Sequence, residues 1–502
     1  MKKITIRNIL SIFSLFTLAL TGYHTVETNY SDLQRYVAEY PHLAYAEYIG
    51  VSTRDSLPIW GIKISDNPEI YEDEPSLLFT GAIHAEELIG TEICHFTIEY
   101  LLTQYGINPS VTNWLDNLQI YFIPIVNPEG HKIVTDSIDI TFRKNKRDNN
   151  LNSIFDFTPG HGGDIDGVDI NRNFPFNWEG GSSEFISTSY RGPSQGSENE
   201  TIAIMDLAHK YRFVSSVFYH SSATGMYNEW IIYPWNWSGY RPPDYTLISS
   251  MASELSTHLQ RVDGGYYSPW YSTSQNGNAN DWQYTQIGTI PFLVEVDTTT
   301  QPEYSRFPEI LENQLNGIEY LLDRSIGPGL CIRLLDEITH LPIEGFVEVL
   351  GYEDTVLTPR QTDIHGTHRR LLSPGNYTIV CSVDESYIPD TSRIEITDGE
   401  FDCVDVYLRT YCPNVEETGG ETRDGDGTRG LNPLSVYLSG QNLHISSNRD
   451  GYLTIYNIMG GQVFNRYIDK GSKELILPTL PSGMYLVRMN GATAKIVVVE
   501  TR

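Results

Sequence analysis

Through roughly the first two-thirds of the chain, short apolar runs alternate with longer stretches of helical periodicity. Residues 77–80, 118–125, 213–219 and 291–296 are largely apolar and bounded by polar or turn residues. That is the pattern of strands buried on both faces. Residues 88–102, 198–211, 248–259 and 310–322 repeat apolar positions every three or four residues, which predicts helices. Strands alternating with helices predict an α/β domain with a mostly parallel or mixed sheet, spanning residues 30–325.

The pattern changes after Gly327-Pro328-Gly329. Residues 329–412 carry short alternating runs broken by turns (GLCIRLLD, GFVEVLGY, NYTIVCSVD, DVYLRT), which predicts a small all-β sandwich. His365 and His368 read there as exposed turn residues. Residues 413–431 include EETGGETRDGDGTRG, which has no apolar side chain to bury and reads as a linker. Residues 432–502 regain hydrophobic runs and turn glycines and predict a further small β module.

The chain begins Met1-Lys2-Lys3, followed by an apolar run over residues 9–20 and then Thr21-Gly22. A basic start, a short apolar stretch and small residues predict a secretory signal peptide over residues 1–22. The run is short for a stable membrane span, and no later segment reaches spanning length. A net charge of −30 opposes binding to nucleic acid or anionic membranes. An exported chain can keep disulfides. Four of the five cysteines (Cys331, Cys381, Cys403, Cys412) lie after residue 330, while Cys94 sits in an apolar stretch and reads as a buried thiol.

Candidate chemistry begins with His84 and Glu87 in GAIHAEELIG and His220 in SVFYHSS. Catalytic zinc takes three protein ligands from this set of residue types and leaves a position for water. A His-x-x-Glu pair where a strand runs into a helix can place both side chains on one ion. A distant strand end supplies His220, and strand ends are where α/β sheets place their sites. Taken singly, His-x-x-Glu recurs by chance and a histidine after a strand is more often structural.

Further motifs lift that reading: NPEG (Asn127 to Gly130), FRKNKR (Phe142 to Arg147), GVDINRNF (Gly167 to Phe174), YRGPSQGSENET (Tyr190 to Thr201), NDWQY (Asn280 to Tyr284) and FLVEVD (Phe292 to Asp297). In this order, together with HAEE and YHSS, they resemble the zinc carboxypeptidases of the carboxypeptidase A type. The resemblance implies a mixed β-sheet flanked by helices and one Zn2+ held by His84, Glu87 and His220. It implies Glu295 as general base, Arg143 as the group polarising the scissile carbonyl, and Asn171 and Arg172 as the clamp on the substrate's terminal carboxylate. Asn280 falls on the floor of the side-chain pocket, where an uncharged polar residue implies neutral or mixed preference. Two departures stand out. Glu86 replaces a frequent arginine before the metal-binding glutamate, and Thr273 occupies the place of a substrate-capping tyrosine. Tyr271 takes that role if the loop carries a two-residue insertion.

The reaction so implied is hydrolysis of the C-terminal peptide bond of peptides and proteins with a free C terminus. Arg172 argues for it, since a guanidinium fork binds a carboxylate in bidentate fashion. A zinc amidase or endopeptidase acting on cell-wall peptides and an inactive peptide-binding or adhesion protein are the alternatives. Asp164, Asp166 and Asp169 read either as a Ca2+ site or as a solvated acidic loop, and the loop is the favoured reading. Residues 329–409 resemble the transthyretin-like sandwich that follows some carboxypeptidases. YLTIYNIMGGQV, LPTLPSGMYLVRM and KIVVVE resemble the sorting domain of the type IX secretion system, which implies that machinery as a partner and a secreted or surface-attached location.

Overall fold

The computed structural model describes residues 22–410, apart from 161–163, 222–227, 236–239, 274–275, 354–356 and 400, together with the strands between residues 434 and 498. All but the last residue of the signal peptide expected over residues 1–22, the linker and Cys412 lie outside the described residues. Residues 1–413 and 414–502 form two separate compact units.

The first unit is built on an eight-stranded mixed sheet in the order β1-β2-β4-β3-β5-β8-β6-β7. Its strands are β1 (Ala44–Val51), β2 (Pro58–Ile64), β3 (Ser76–Thr80), β4 (Gln119–Ile123), β5 (Ser215–His220), β6 (Trp230–Tyr233), β7 (Ser268–Tyr271) and β8 (Ile290–Glu295). The four central strands, β4, β3, β5 and β8, run parallel, with Leu78 opposite Tyr121 and Ser216, and His220 opposite Glu295. Almost every residue in them is buried, which is why they appear in the sequence as unbroken apolar runs. The expected mixed sheet flanked by helices is therefore present.

Helices α1 (Val26–Glu39), α2 (Ile89–Gln104), α3 (Pro109–Leu115), α4 (Pro128–Thr135), α5 (Asn199–Tyr211), α6 (Tyr245–His258), α7 (Ala279–Gln286) and α8 (Phe307–Ser325) complete this part. Two apolar clusters separate by face. One joins α2, α6 and α8 to the sheet through residues such as Ile93, Leu255 and Leu321, and the other joins α5 and α7 to it through Ile204, Leu207 and Trp282.

Residues 329–410 follow without a break in the core. They form two four-stranded sheets, ordered β11-β10-β13-β15 and β12-β9-β16-β14, around Leu330, Ile332, Val347, Ile379 and Val406. Here β9 is Gly329–Asp336, β10 Phe346–Val349, β11 Arg360–Gln361, β12 Thr367–Leu371, β13 Gly375–Ser382, β14 Tyr387–Ile388, β15 Asp390–Ile396 and β16 Phe401–Thr410. Cys331 and Cys403 face each other across the parallel β9–β16 pair and form a disulfide, while Cys94 and Cys381 are buried free thiols. The sequence reading of His368 is corrected: it lies buried in β12, and only His365 is exposed. Leu357 and Leu371 pack into the core of the α/β part, so the two parts share one apolar interior.

In the second unit, strands lie in a three-stranded and a four-stranded sheet around Leu443, Leu453, Ile455 and Val487. Among the described residues no helix is long and apolar enough to cross a membrane.

Just after the expected signal peptide, His24 is fastened by two carboxylates. Its Nδ1 lies 2.8 Å from Glu92 and its Nε2 lies 3.0 Å from Asp32. Burial pulls the imidazole pKa down, but Glu92 and Asp32 outweigh it and hold it at about 9. A raised histidine stabilises the fold fully below its unfolded value near 6.5 and loses that contribution as pH climbs towards 9. The expected loss is about 3 kcal/mol across that window. Denaturant titrations of wild type and His24→Asn between pH 6 and 9.5 check this. The stability difference should shrink as pH rises, and a gap independent of pH would contradict it.

Candidate active site

The central parallel strands deliver their C-terminal ends to one crevice. From β3 the chain proceeds through α2 and α3 to β4 on one side, whereas β5 pairs on the other. The crevice between β3 and β5 is therefore a topological switch point, where open α/β sheets bind ligands. His84 and Glu87 lie in the turn after β3, and His220 and Glu295 end β5 and β8 side by side.

Tight backbone packing fixes the turn. Ala82 adopts φ +47°, a left-handed conformation that costs a non-glycine residue energy and is retained only where the surroundings impose it. Gly90 is needed for close approach. A Cβ there would sit 2.8 Å from the Cβ of Tyr219, so a larger residue would push the start of α2 away from β5 and from His220.

His84 Nδ1 lies 3.0 Å from Glu87 Oε1 and 3.0 Å from His220 Nδ1, and His220 Nδ1 lies 2.8 Å from Glu87 Oε2. All three side chains are buried. With the two Nδ1 atoms 3.0 Å apart beside one carboxylate, either two N–H groups crowd each other or two lone pairs face each other, whereas a shared cation satisfies all three groups. Tetrahedral zinc with bonds near 2.0–2.1 Å needs ligand atoms about 3.3 Å apart, so the trio fits the ion with adjustments of a few tenths of an ångström. Burial pushes His220 down to about 4, leaving it in the neutral form a metal requires. For Glu87 burial acts upward, but His84 and His220 outweigh it and hold the carboxyl well below the usual range.

Asp169 extends this arrangement. Its Oδ1 lies 3.1 Å from His84 Nε2, and its Oδ2 accepts from Arg143 Nε at 3.2 Å. A carboxylate on the far nitrogen of a ligand histidine fixes the tautomer and ring orientation. The sequence reading missed this role. The available signal was the place of Asp169 directly before Ile170-Asn171-Arg172 in GVDINRNF.

Arg143 lies partly buried against the trio. Its Nη1 lies 3.3 Å from Glu87 and 3.6 Å from Glu86, and its Nη2 lies 2.8 Å from His84 Nε2. Its segment is anchored by Asn127 of the NPEG motif, whose Nδ2 donates to Lys144 O at 3.1 Å. Arg172 is also partly buried, donating from Nη1 to Asn171 O at 2.7 Å, with its buried Nε lacking a partner among the described residues. Asn171 Oδ1 accepts from Ala279 N at 2.9 Å and so ties the turn over residues 169–173 to α7. On α7, Asn280 is buried with its Nδ2 unpartnered among the described residues. Glu295 keeps its buried Oε2 free in the same way; burial first, then the Glu87 charge, push its carboxyl up to about 8.

Tyr271 is not brought to this group. The register places it beside Tyr233, beyond the Ile232–Leu293 pair and towards the far end of β8 from Glu295. Its ring stacks on Trp270, and the Arg241 guanidinium lies 4.7 Å from the ring centre. Asp164, Asp166 and Asp169, expected either as a Ca2+ site or as a solvated acidic loop, are all buried, and each is engaged by its own neighbours. Asp164 accepts from Thr158 N, both oxygens of Asp166 accept from Asn149 N and Asp156 N, and Asp169 is turned to His84.

Residues 29–317, more than half the chain, match the zinc carboxypeptidase family. The chain belongs to that family. Mouse carboxypeptidase A2 is 28% identical over 287 residues, covering 55% of this chain and 63% of that protein. Mouse carboxypeptidase D is 25% identical over 400 residues, covering 72% of this chain but 25% of its own length. The chain thus spans under two-thirds of these relatives. Bovine thrombin-activatable fibrinolysis inhibitor, solved with tick carboxypeptidase inhibitor, has a similar fold: TM-score 0.51 and 23% identity, over 61% of this chain and 98% of that one. The carboxypeptidase A of Helicoverpa armigera gives TM-score 0.52 and 17% identity over 64% and 81%. Residues 439–499 match the secretion system C-terminal sorting domain, which marks the chain as exported to the surface or the medium.

Zinc is thus the family's metal as well as the one the donor set fits. Asp169→Asn keeps the shape but removes the charge behind His84. Zinc affinity, measured by competition with a chromogenic chelator, should fall about 10- to 100-fold. An affinity within twofold of wild type would remove Asp169 from this role.

Proposed function

We propose that this protein is an exported zinc metallocarboxypeptidase that hydrolyses the C-terminal peptide bond of peptides and proteins. The observation that carries the reading is the grouping of His84, Glu87, His220, Glu295, Arg143 and Arg172 around one buried crevice.

His84, Glu87 and His220 would hold the ion. When bound, zinc supplies Lewis-acid polarisation of the scissile carbonyl and acidifies water. Glu295 faces the trio from the next strand, and its unpartnered Oε2 takes a proton from the attacking water and returns one to the leaving amine. Arg143 is held at Nε by Asp169 and lies beside Glu87 and His84 at Nη1 and Nη2; the further N–H groups on those two nitrogens donate to the carbonyl oxygen as it gains charge. Arg172 and the Asn171 amide receive the substrate's terminal carboxylate, which makes a free C terminus the recognition element. Asn280 gives the side-chain pocket an uncharged polar floor and hence a neutral or mixed preference. The residues Asp164 to Asp169 play no separate metal role in this scheme.

A cell-wall amidase or endopeptidase needs no carboxylate clamp, and an inactive binding protein needs neither Glu295 nor a complete ligand trio; nothing in the site favours either. The C-terminal sorting match supports passage through the type IX secretion machinery, with the enzyme released or retained at the cell surface.

Mass spectrometry of a peptide panel incubated with the zinc-loaded protein tests the activity. One-residue losses from C termini, abolished by a chelator and by C-terminal amidation of the peptides, are expected. Internal cuts, or no cuts, would contradict the reading. Glu295→Gln should keep zinc at wild-type stoichiometry and lose about 10²- to 10⁴-fold in kcat. Near-normal turnover in that variant would remove Glu295 from its role.

A further inference from the structure

The sandwich over residues 329–410 reaches into the substrate side of the α/β part through two buried arginines. Arg360 on β11 donates from Nη1 to the carbonyl of Thr285, in the last turn of α7. This short helix ends with carbonyls that its own backbone leaves unpaired, and a cation there also complements the helix dipole. Gly288, at φ +88°, lets the chain leave α7 directly over that side chain, since a Cβ would come within 3.3 Å of Arg360 Nε. Arg370 on β12 pairs with Asp244 at 2.6 Å and with Glu353. The same Asp244 oxygen accepts from the Tyr284 hydroxyl at 3.0 Å. Tyr284 stands four residues after Asn280 and therefore on the same side of α7, one turn below it.

The helix is fixed at its other end by the site itself. Asn278 caps it by accepting from Asp281 N at 2.7 Å, and Ala279 N donates to Asn171. Helix α7, with the pocket-floor residue Asn280 near its start, is thus held between the turn over residues 169–173 and two side chains rooted in the sandwich. The surrounding junction is firm. Arg324 donates to Pro328 O and Leu372 O, Arg212 to Gln361, and the Tyr71 ring stacks on His365.

We propose that Arg360 and Arg370 are positioning residues for the side-chain pocket, so that the sandwich sets which C-terminal residues the enzyme accepts. This rests on the carboxypeptidase reading and on Asn280 lining that pocket. Neither arginine touches the zinc trio or Glu295 through any described hydrogen bond or ion pair. Loosening them should therefore move recognition of the terminal side chain and leave the bond-breaking step alone.

The test uses the full chain, zinc-loaded, and two peptides identical except for a C-terminal Ala or Phe. Tyr284→Phe, Arg360→Met and Arg370→Met should each change the Ala-to-Phe ratio of KM values about fivefold or more, with kcat on the better substrate within twofold. Arg360→Lys, which keeps a cation at the end of α7, should retain the wild-type ratio. Should Arg370→Met fail to fold, Tyr284→Phe, which deletes one hydroxyl and keeps the ring, decides with Arg360→Met. Folded variants with the wild-type ratio, or with kcat reduced in parallel on both peptides and the ratio unchanged, would overturn the proposal. A wild type that trims neither peptide would overturn the carboxypeptidase reading and this inference together. A wild type that trims both while the variants keep its ratio overturns the inference alone.

Discussion

One carboxylate set between two imidazoles governs this molecule. Glu87 meets His84 and His220 at 3.0 and 2.8 Å in a buried crevice, and such groups are costly to hold there without a compensating cation. The backbone serves that meeting. Ala82 is held in a left-handed conformation, Gly90 lets α2 lie against β5, and the parallel β5–β8 register places Glu295 beside His220. Asp169 then fixes the far side of His84 and the near side of Arg143 with its two oxygens.

The site therefore couples elements far apart in sequence. The turn over residues 169–173 carries Asn171 and Arg172 and, through Asn171, holds the start of α7. The sandwich holds the other end of α7. The trio, the turn with Asn171 and Arg172, and α7 thus share a continuous set of hydrogen bonds.

The parts legible in the sequence were those whose burial leaves one pattern. Strands β3, β4, β5 and β8 are covered on both faces and stand out as apolar runs, and the trio and Glu295 follow them at their ends. Strands β1 and β2 escaped notice because an outer strand such as AYAEYIGV mixes exposed tyrosines with small residues. Helix α7 is buried nearly all round, so ANDWQYTQ has no apolar stripe to betray a helix. The dual role of Asp169, the Cys331–Cys403 partnership and the burial of His368 depend on long-range register that local patterns do not carry. The position of Tyr271 was hidden for a related reason: spacing to the Asn280-Asp281 motif says nothing about which end of β7 lies near Glu295.

Anomalous diffraction at the zinc absorption edge, on crystals of the purified protein, tests the central claim most directly. The account predicts one strong peak within about 2.0–2.2 Å of His84 Nδ1, His220 Nδ1 and a Glu87 oxygen. A well-ordered crevice without that peak in crystals grown with zinc, or an ion bound only elsewhere, would contradict it.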